Sequence, residues 1–322
     1  MRRRDFIKVI VGSVAAWPLA AHAQRPVIGF LRSTSLDSSP HLVTAFRQGL
    51  NEVGYVEGQN VVIEYRGADG QLDQLPTLVA DLIHLQAVVI IANLTAAFAA
   101  KAATKTIPIV FTTGSDPVKD GLVVNINRPG GNVTGVVFFN DELGTKRLEL
   151  LRKLVPKAET IGVLVNPANP GTRAEQHDVE EAAHAIGQQL MVFNASSDPD
   201  IETAFATLAQ RGAGALLVGS GSFLFSKREQ IVALAARHSL PASYPQRDYV
   251  AAGGLMSYGA SIADAYRQAG IYVGRILNGE KPGELPVVQS TKFEFTINLK
   301  TAKTLGLEIS PQLLATAEEV LE

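Results

Sequence analysis

From Val27 onward, short runs rich in valine and isoleucine alternate with helical stretches, and the whole alternation then repeats in a second half of the chain. A strand lying parallel to its neighbour must be followed by a crossover long enough to bring the chain back, usually a helix. This alternation is therefore the signature of a parallel sheet covered by helices on both faces. The first series places strands at 27–31, 61–65, 87–91 and 107–111, with helices near 40–53, 72–84 and 95–104. The runs at 87–91 and 107–111 are almost unbroken apolar, as strands buried on both faces must be. The second series places strands at 160–165, 191–193, 215–218 and 241–244, separated by helices near 171–188, 199–211 and 226–239. A chain of 322 residues exceeds the size at which one core keeps growing. The expected fold class is α/β, with two doubly wound parallel-sheet lobes.

The first 23 residues read differently. Arg2, Arg3, Arg4 and Lys8 give a charged start, Val9 to Ala16 an apolar stretch, and Ala21-His22-Ala23 a small-x-small cleavage pattern. These are the three parts of an export signal, so residues 1–23 are expected to be removed and the protein to reside in the periplasm. Arg3-Arg4-Asp5-Phe6-Ile7-Lys8 fits the twin-arginine pattern, with the Sec route as the alternative. The apolar stretch is far shorter than the ~20 residues that an uncut membrane anchor requires. The chain contains no cysteine, which excludes disulfides, thiolate metal sites, a cysteine nucleophile and a lipidated cysteine tether. Without the leader, 25 basic and 30 acidic residues leave a net charge of −5, which argues against nucleic acid as a partner.

Open α/β sheets bind ligands outside the carboxyl ends of their strands. The polar residues just after each strand are therefore the candidate cleft lining. They are Arg32, Ser33 and Thr34, then Asn93 and Thr95, then Thr113, Ser115 and Asp116 in the first half, and Asn166, Ser220, Ser222, Tyr244 and Asp248 in the second. Thr113-Gly114-Ser115-Asp116-Pro117 is expected to cap and start a helix whose free N–H groups suit an anion. Capping alone is the competing reading for Asp116. Arg128-Pro129-Gly130-Gly131-Asn132-Val133-Thr134-Gly135 lacks the lysine of a phosphate-binding loop and reads as a tight turn into a strand. His177, Glu181 and His184 share one helix face, but without the spacing of helical zinc sites, so no metal is expected. Gly219-Ser220-Gly221-Ser222 is not a nucleophile elbow, and no histidine stands where a triad needs one. No catalysis and no cofactor are expected.

Four blocks carry a resemblance: Phe111 to Val118, Arg128 to Gly135, Gly253-Gly254-Leu255-Met256-Ser257-Tyr258-Gly259, and Lys292 to Lys303. Together they resemble the ABC-transporter substrate-binding family that includes tryptophan-binding lipoproteins. The resemblance implies the type I periplasmic binding fold, two lobes joined by three crossovers. It divides the chain into a first lobe of 24–139 plus about 253–286 and a second of 140–252 plus about 287–322. It implies ligand loops at Asn93-Leu94-Thr95 and Thr113-Gly114-Ser115-Asp116 in the first lobe and at Asn166, Ser220 and Asp248 in the second; with Ser33 and Tyr244 from the strand-end rule, the candidate ligand set is Ser33, Asn93, Thr95, Thr113, Ser115, Asp116, Asn166, Ser220, Tyr244 and Asp248. Thr95 and Ser115 would hold a carboxylate and Asp116 or Asp248 an ammonium group, with Phe30, Phe223, Tyr244 and Tyr258 as candidate walls. Asn93-Leu94-Thr95 stands where relatives often carry Gly-Thr-Pro, and the chain lacks the lipoprotein cysteine. The implied function is a monomeric periplasmic protein that captures an amino acid or related carboxylate and delivers it to the permease of an ABC importer. A sensor partner of a receptor and an exported hydrolase are the alternatives.

Overall fold

The computed structural model describes residues 25–37, 39–139, 143–169 and 171–322; the expected leader lies outside them. The first stretch of chain forms β1 (Val27–Arg32), α1 (Pro40–Glu52), β2 (Val62–Gly67), α2 (Leu75–His84), β3 (Ala87–Asn93), α3 (Leu94–Ala103), β4 (Ile109–Thr113) and β5 (Val133–Val137). The second forms α4 (Gly144–Leu154), β6 (Thr160–Val165), α5 (Thr172–Ala185), β7 (Gln189–Asn194), α6 (Asp198–Gln210), β8 (Ala215–Val218), α7 (Ser222–Ser226), α8 (Arg228–Arg237), β9 (Ala242–Tyr244), α9 (Arg247–Ala251) and β10 (Met256–Ala260). The chain then returns to the first lobe for α10 (Ile262–Leu277) and β11 (Val288–Gln289). It ends in the second lobe with β12 (Phe293–Asn298), α11 (Leu299–Thr304), α12 (Pro311–Leu314) and β13 (Glu319–Leu321).

Two sheets result, ordered β11-β5-β4-β3-β1-β2 and β13-β12-β10-β9-β8-β6-β7. Pairing is parallel throughout except between β10 and β12. That exception has a simple cause. The chain re-enters the second lobe beside the end of β10, Ala260 facing Phe293, and β12 can only run back the other way. Alternation along β1 sends Ile28 and Phe30 toward α1 and α10, and Leu31 toward α2 and α3. Local sequence starts the helices as well. Ser197 accepts a hydrogen bond from the Asp200 N–H, and Pro199, Asp198 and Asp200 fill the first turn of α6.

The expected lobe boundaries need correction. The expected division puts residues 256–260 in the first lobe, yet β10 pairs with β9 and β12 in the second sheet; it puts residues from 287 on in the second lobe, yet β11 pairs with β5 in the first. An apolar strand carries no mark of which sheet it will join; pairing decides. The expected helix after Asp116 is also absent: residues 117–121 form hydrogen-bonded turns, closed by Leu122 N–H to the Pro117 carbonyl at 2.8 Å.

Helix α10 belongs to the first lobe because it lies directly on α1. Two glycines permit this approach. A Cβ on Gly49 would stand 1.8 Å from the Arg267 carbonyl oxygen, and one on Gly270 would stand 2.3 Å from that of Phe46. Both obstacles are backbone, which has little freedom to move. Gly270→Ala is expected to destabilise the protein by ~1–3 kcal/mol through overpacking, read as a lowered urea midpoint by circular dichroism.

The second and third crossovers are tied together where they pass between the lobes. Ser261, between β10 and α10, donates its N–H to the Lys292 carbonyl at 2.8 Å and its hydroxyl to Glu294. Its hydroxyl also accepts the Asp264 N–H at 3.1 Å, capping α10. Ser290, just after β11, donates its N–H to the Val137 carbonyl at 2.8 Å and its hydroxyl to Asp264 at 3.0 Å. Burial alone would raise the Asp264 pKa, but hydrogen bonds from Gln268, Arg267 and Ser290 outweigh it and hold the carboxyl below its ordinary value. A depressed carboxylate contributes stability that is complete above the unfolded value of ~3.9 and is lost as pH falls through the lower folded value. Asp264→Asn is therefore expected to lower the melting temperature at neutral pH, with the gap to the wild type closing below pH ~3.9. A pH series of melting curves checks this, and a gap independent of pH would contradict it.

Candidate functional site

Because the strands of each sheet's main series run the same way, their carboxyl ends and the loops that follow share one edge of each sheet. In the first lobe, the Ser33 N–H donates to Asn93 Oδ1 at 2.9 Å and Asn93 Nδ2 donates to Ser33 Oγ at 2.7 Å, joining the tips of β1 and β3. At the end of β4, Thr113 Oγ1 lies 2.9 Å from Ser115 Oγ, and the Ser115 hydroxyl donates to Asp120. Asp116 accepts the N–H groups of Val118 and Lys119 at 2.9 and 3.2 Å, so it caps its own turn. Thr95 lies exposed in the first turn of α3.

In the second lobe, a buried ion pair governs the tip of β8. Arg147 of α4 and Glu175 of α5 pair in the interior, 0% and 3% exposed. Glu175 Oε2 accepts the Ser220 N–H at 2.9 Å, and Arg147 Nη1 donates to the Tyr258 carbonyl at 3.4 Å. The Ser220 hydroxyl is within 3.3 Å of Glu175 Oε1 and 3.4 Å of Arg147 Nη2. Sequence reasoning missed this pair, because a single glutamate on a helix rich in glutamate gives no signal; only the packing of α4 on α5 singles it out.

Two expected lining residues are corrected to structural roles. Asn166 donates from Nδ2 to the Ala195 carbonyl at 3.0 Å and accepts the Ala168 N–H at 2.8 Å, so its amide is consumed by its own loop. Tyr244 is 1% exposed and stacks on Tyr249, ring centroids 4.8 Å apart. Burial pushes both phenols well above their ordinary pKa. Phe30, a candidate wall, is likewise core, packed among Phe46, Tyr65 and Tyr266.

The lobes meet at α1 and α9, where His41 Nε2 lies 4.0 Å from Asp248 Oδ1. Beside this contact a pocket of about 460 Å³ is lined by His41, Ile262 and Ala263 of the first lobe and by Gln246, Asp248, Glu294 and Glu319 among others of the second. Its volume falls in the range that holds small ligands. Arg247 forms a two-pronged pair with Glu319, both contacts 2.5 Å. That hydrogen bonding raises the guanidinium pKa and keeps it charged.

Two doubly wound lobes, three crossovers and a polar interlobe edge define the type I periplasmic binding protein fold. A family model described as ABC transporter substrate binding protein matches residues 27–321, and the chain belongs to that family. It is 28% identical over 265 residues to a tyrosine-binding protein of Clostridioides difficile, covering 82% of this chain and 76% of the relative. Among solved structures, it resembles a conserved domain protein of Vibrio cholerae, with a TM-score of 0.78 and 26% identity over 92% of this chain and 100% of that one. An ABC domain of Streptococcus pneumoniae in complex with L-Trp matches with a TM-score of 0.78 and 25% identity over the same shares.

The geometry makes the Arg147–Glu175 pair a support for the Ser220 loop. Glu175→Gln leaves the Arg147 charge buried without its counter-charge and is expected to cost ~3–5 kcal/mol in urea unfolding. Arg147→Met combined with Glu175→Leu removes both charges and is expected to recover much of that loss.

Proposed function

We propose that this protein is an exported solute-binding protein that captures an amino acid between its lobes and hands it to the permease of an ABC importer, acting as a periplasmic monomer without chemistry of its own. The observation that carries the reading is a pocket between the lobes, lined by His41, Ile262 and Ala263 of the first and by Gln246, Asp248 and Glu294 of the second. The tyrosine-binding relative and the L-Trp complex support an amino acid as the ligand class. Ser33 with Asn93, Thr113 with Ser115, and Ser220 supply hydroxyl and amide groups at strand tips, and Asp248 supplies a carboxylate for an ammonium group. Closure about the tied crossovers excludes water and strengthens these polar contacts.

A ligand that binds only the folded state raises the melting temperature by mass action, by ~2.7 kcal/mol of stability at a hundred times its dissociation constant. A thermal-shift screen of the purified chain against the twenty common L-amino acids is expected to yield a concentration-dependent rise for an aromatic or large aliphatic member. No rise for any of them removes the amino-acid reading.

A further inference from the structure

Three charged side chains are buried among the described residues: Arg32, Arg147 and Glu175. Arg147 and Glu175 neutralise one another. Arg32 does not share in that arrangement. It is 5% exposed, and its Nε and Nη1 are buried without a hydrogen-bond partner. Guanidinium N–H groups that have lost water without gaining an acceptor are strongly unfavourable.

Its position indicates the missing partner. Arg32 is the last residue of β1, at the carboxyl-end edge of the first sheet, where open α/β sheets take their ligands. The same β1–α1 connection carries two more unpartnered buried hydroxyls, those of Thr34 and Ser39. Ser39 occupies the N-cap of α1, yet its side chain makes no capping bond, and no acidic residue sits in the first turn of that 13-residue helix. A buried cation, two idle hydroxyls and an uncapped helix start on one connection all call for the same thing, an anion supplied from outside.

We infer that Arg32 is the carboxylate anchor of the binding site, with Thr34, Ser39 and the start of α1 completing the anion's coordination. This rests on the amino-acid reading above and deepens it, replacing Thr95 and Ser115 as the expected carboxylate holders. A planar carboxylate takes two parallel hydrogen bonds from a guanidinium and balances its single charge. A dianionic phosphate would leave a charge uncompensated, and the interlobe pocket offers no surplus of cations, since Asp248, Glu294, Glu318 and Glu319 line it against Arg247 and Lys292. The ligand's carboxylate is thereby fixed in the first lobe, and its ammonium group is left for the acidic second lobe.

The test uses the full purified chain, the amino acid that the thermal-shift screen selects, and the C-terminal amide of that amino acid. Arg32→Met is expected to weaken binding at least ~30-fold by calorimetry, as removing one partner of a buried charge pair does. The amide is expected to bind the wild type comparably weakly, and Arg32→Lys to recover part of the affinity. Without ligand, Arg32→Met is expected to melt no lower than the wild type, because it removes an unpaired buried charge. Equal affinity of wild type and Arg32→Met, or equal affinity of the acid and its amide, overturns the anchor while leaving the amino-acid reading intact. A markedly lower unliganded melting temperature for both variants overturns it too, making Arg32 structural. If no amino acid binds the wild type, the amino-acid reading fails by itself. The anchor is then decided by acetate, benzoate and inorganic phosphate: stabilisation of the wild type but not Arg32→Met by a carboxylate supports it, and stabilisation by phosphate alone or by none overturns it.

Discussion

A parallel strand cannot turn directly into its neighbour, so each must hand the chain to a helix that carries it back. Everything functional in this protein follows from that directional constraint. It forces the end of every strand in the main series, and the start of the helix after it, onto one edge of each sheet. These edges are where side chains escape the apolar layers and where polar groups can gather without disturbing the core. The three crossovers then join the two lobes, whose helix starts approach at His41 and Asp248, and Ser261, Ser290 and Asp264 hold two of those crossovers in register.

The treatment of charge separates scaffold from site. In the second lobe a buried arginine is matched by a glutamate, and the pair spends its remaining hydrogen-bonding capacity on the Ser220 loop and the Tyr258 carbonyl. That arrangement is closed and rigidifies what it touches. In the first lobe a buried arginine at the end of β1 has its Nε and Nη1 without an acceptor. A binding protein gains from this asymmetry, because an interaction left unmade in the empty state is available in full to the ligand.

Much of the fold was legible in the residues. The strand runs at 160–165 and 215–218 coincide with β6 and β8, and most helices fall within a few residues of expectation, because period and composition are local properties. Of the candidate site, the positions were legible and the bonding was not. Ser33, Asn93, Thr113 and Ser115 stand at strand tips and are hydrogen-bonded in pairs. Asn166, Asp116 and Tyr244 also follow strands, but each is drawn into its own loop, turn or core. The rule locates a backbone position and says nothing about which way the side chain's bonding is satisfied. Arg32 followed a strand like the rest, and no count along the chain distinguishes a paired arginine from an unpaired one.

The amino-acid sequence by itself determined two parallel α/β halves, the edge on which polar groups would collect, and the absence of thiol chemistry, since these depend on periodicity, connection length and residue type. The tertiary structure alone decided which sheet β10 and β11 join, that Gly49 and Gly270 let α10 lie against α1, and which buried charges find partners. Those outcomes depend on distances between residues remote in the chain, and such distances exist only once the packing is complete.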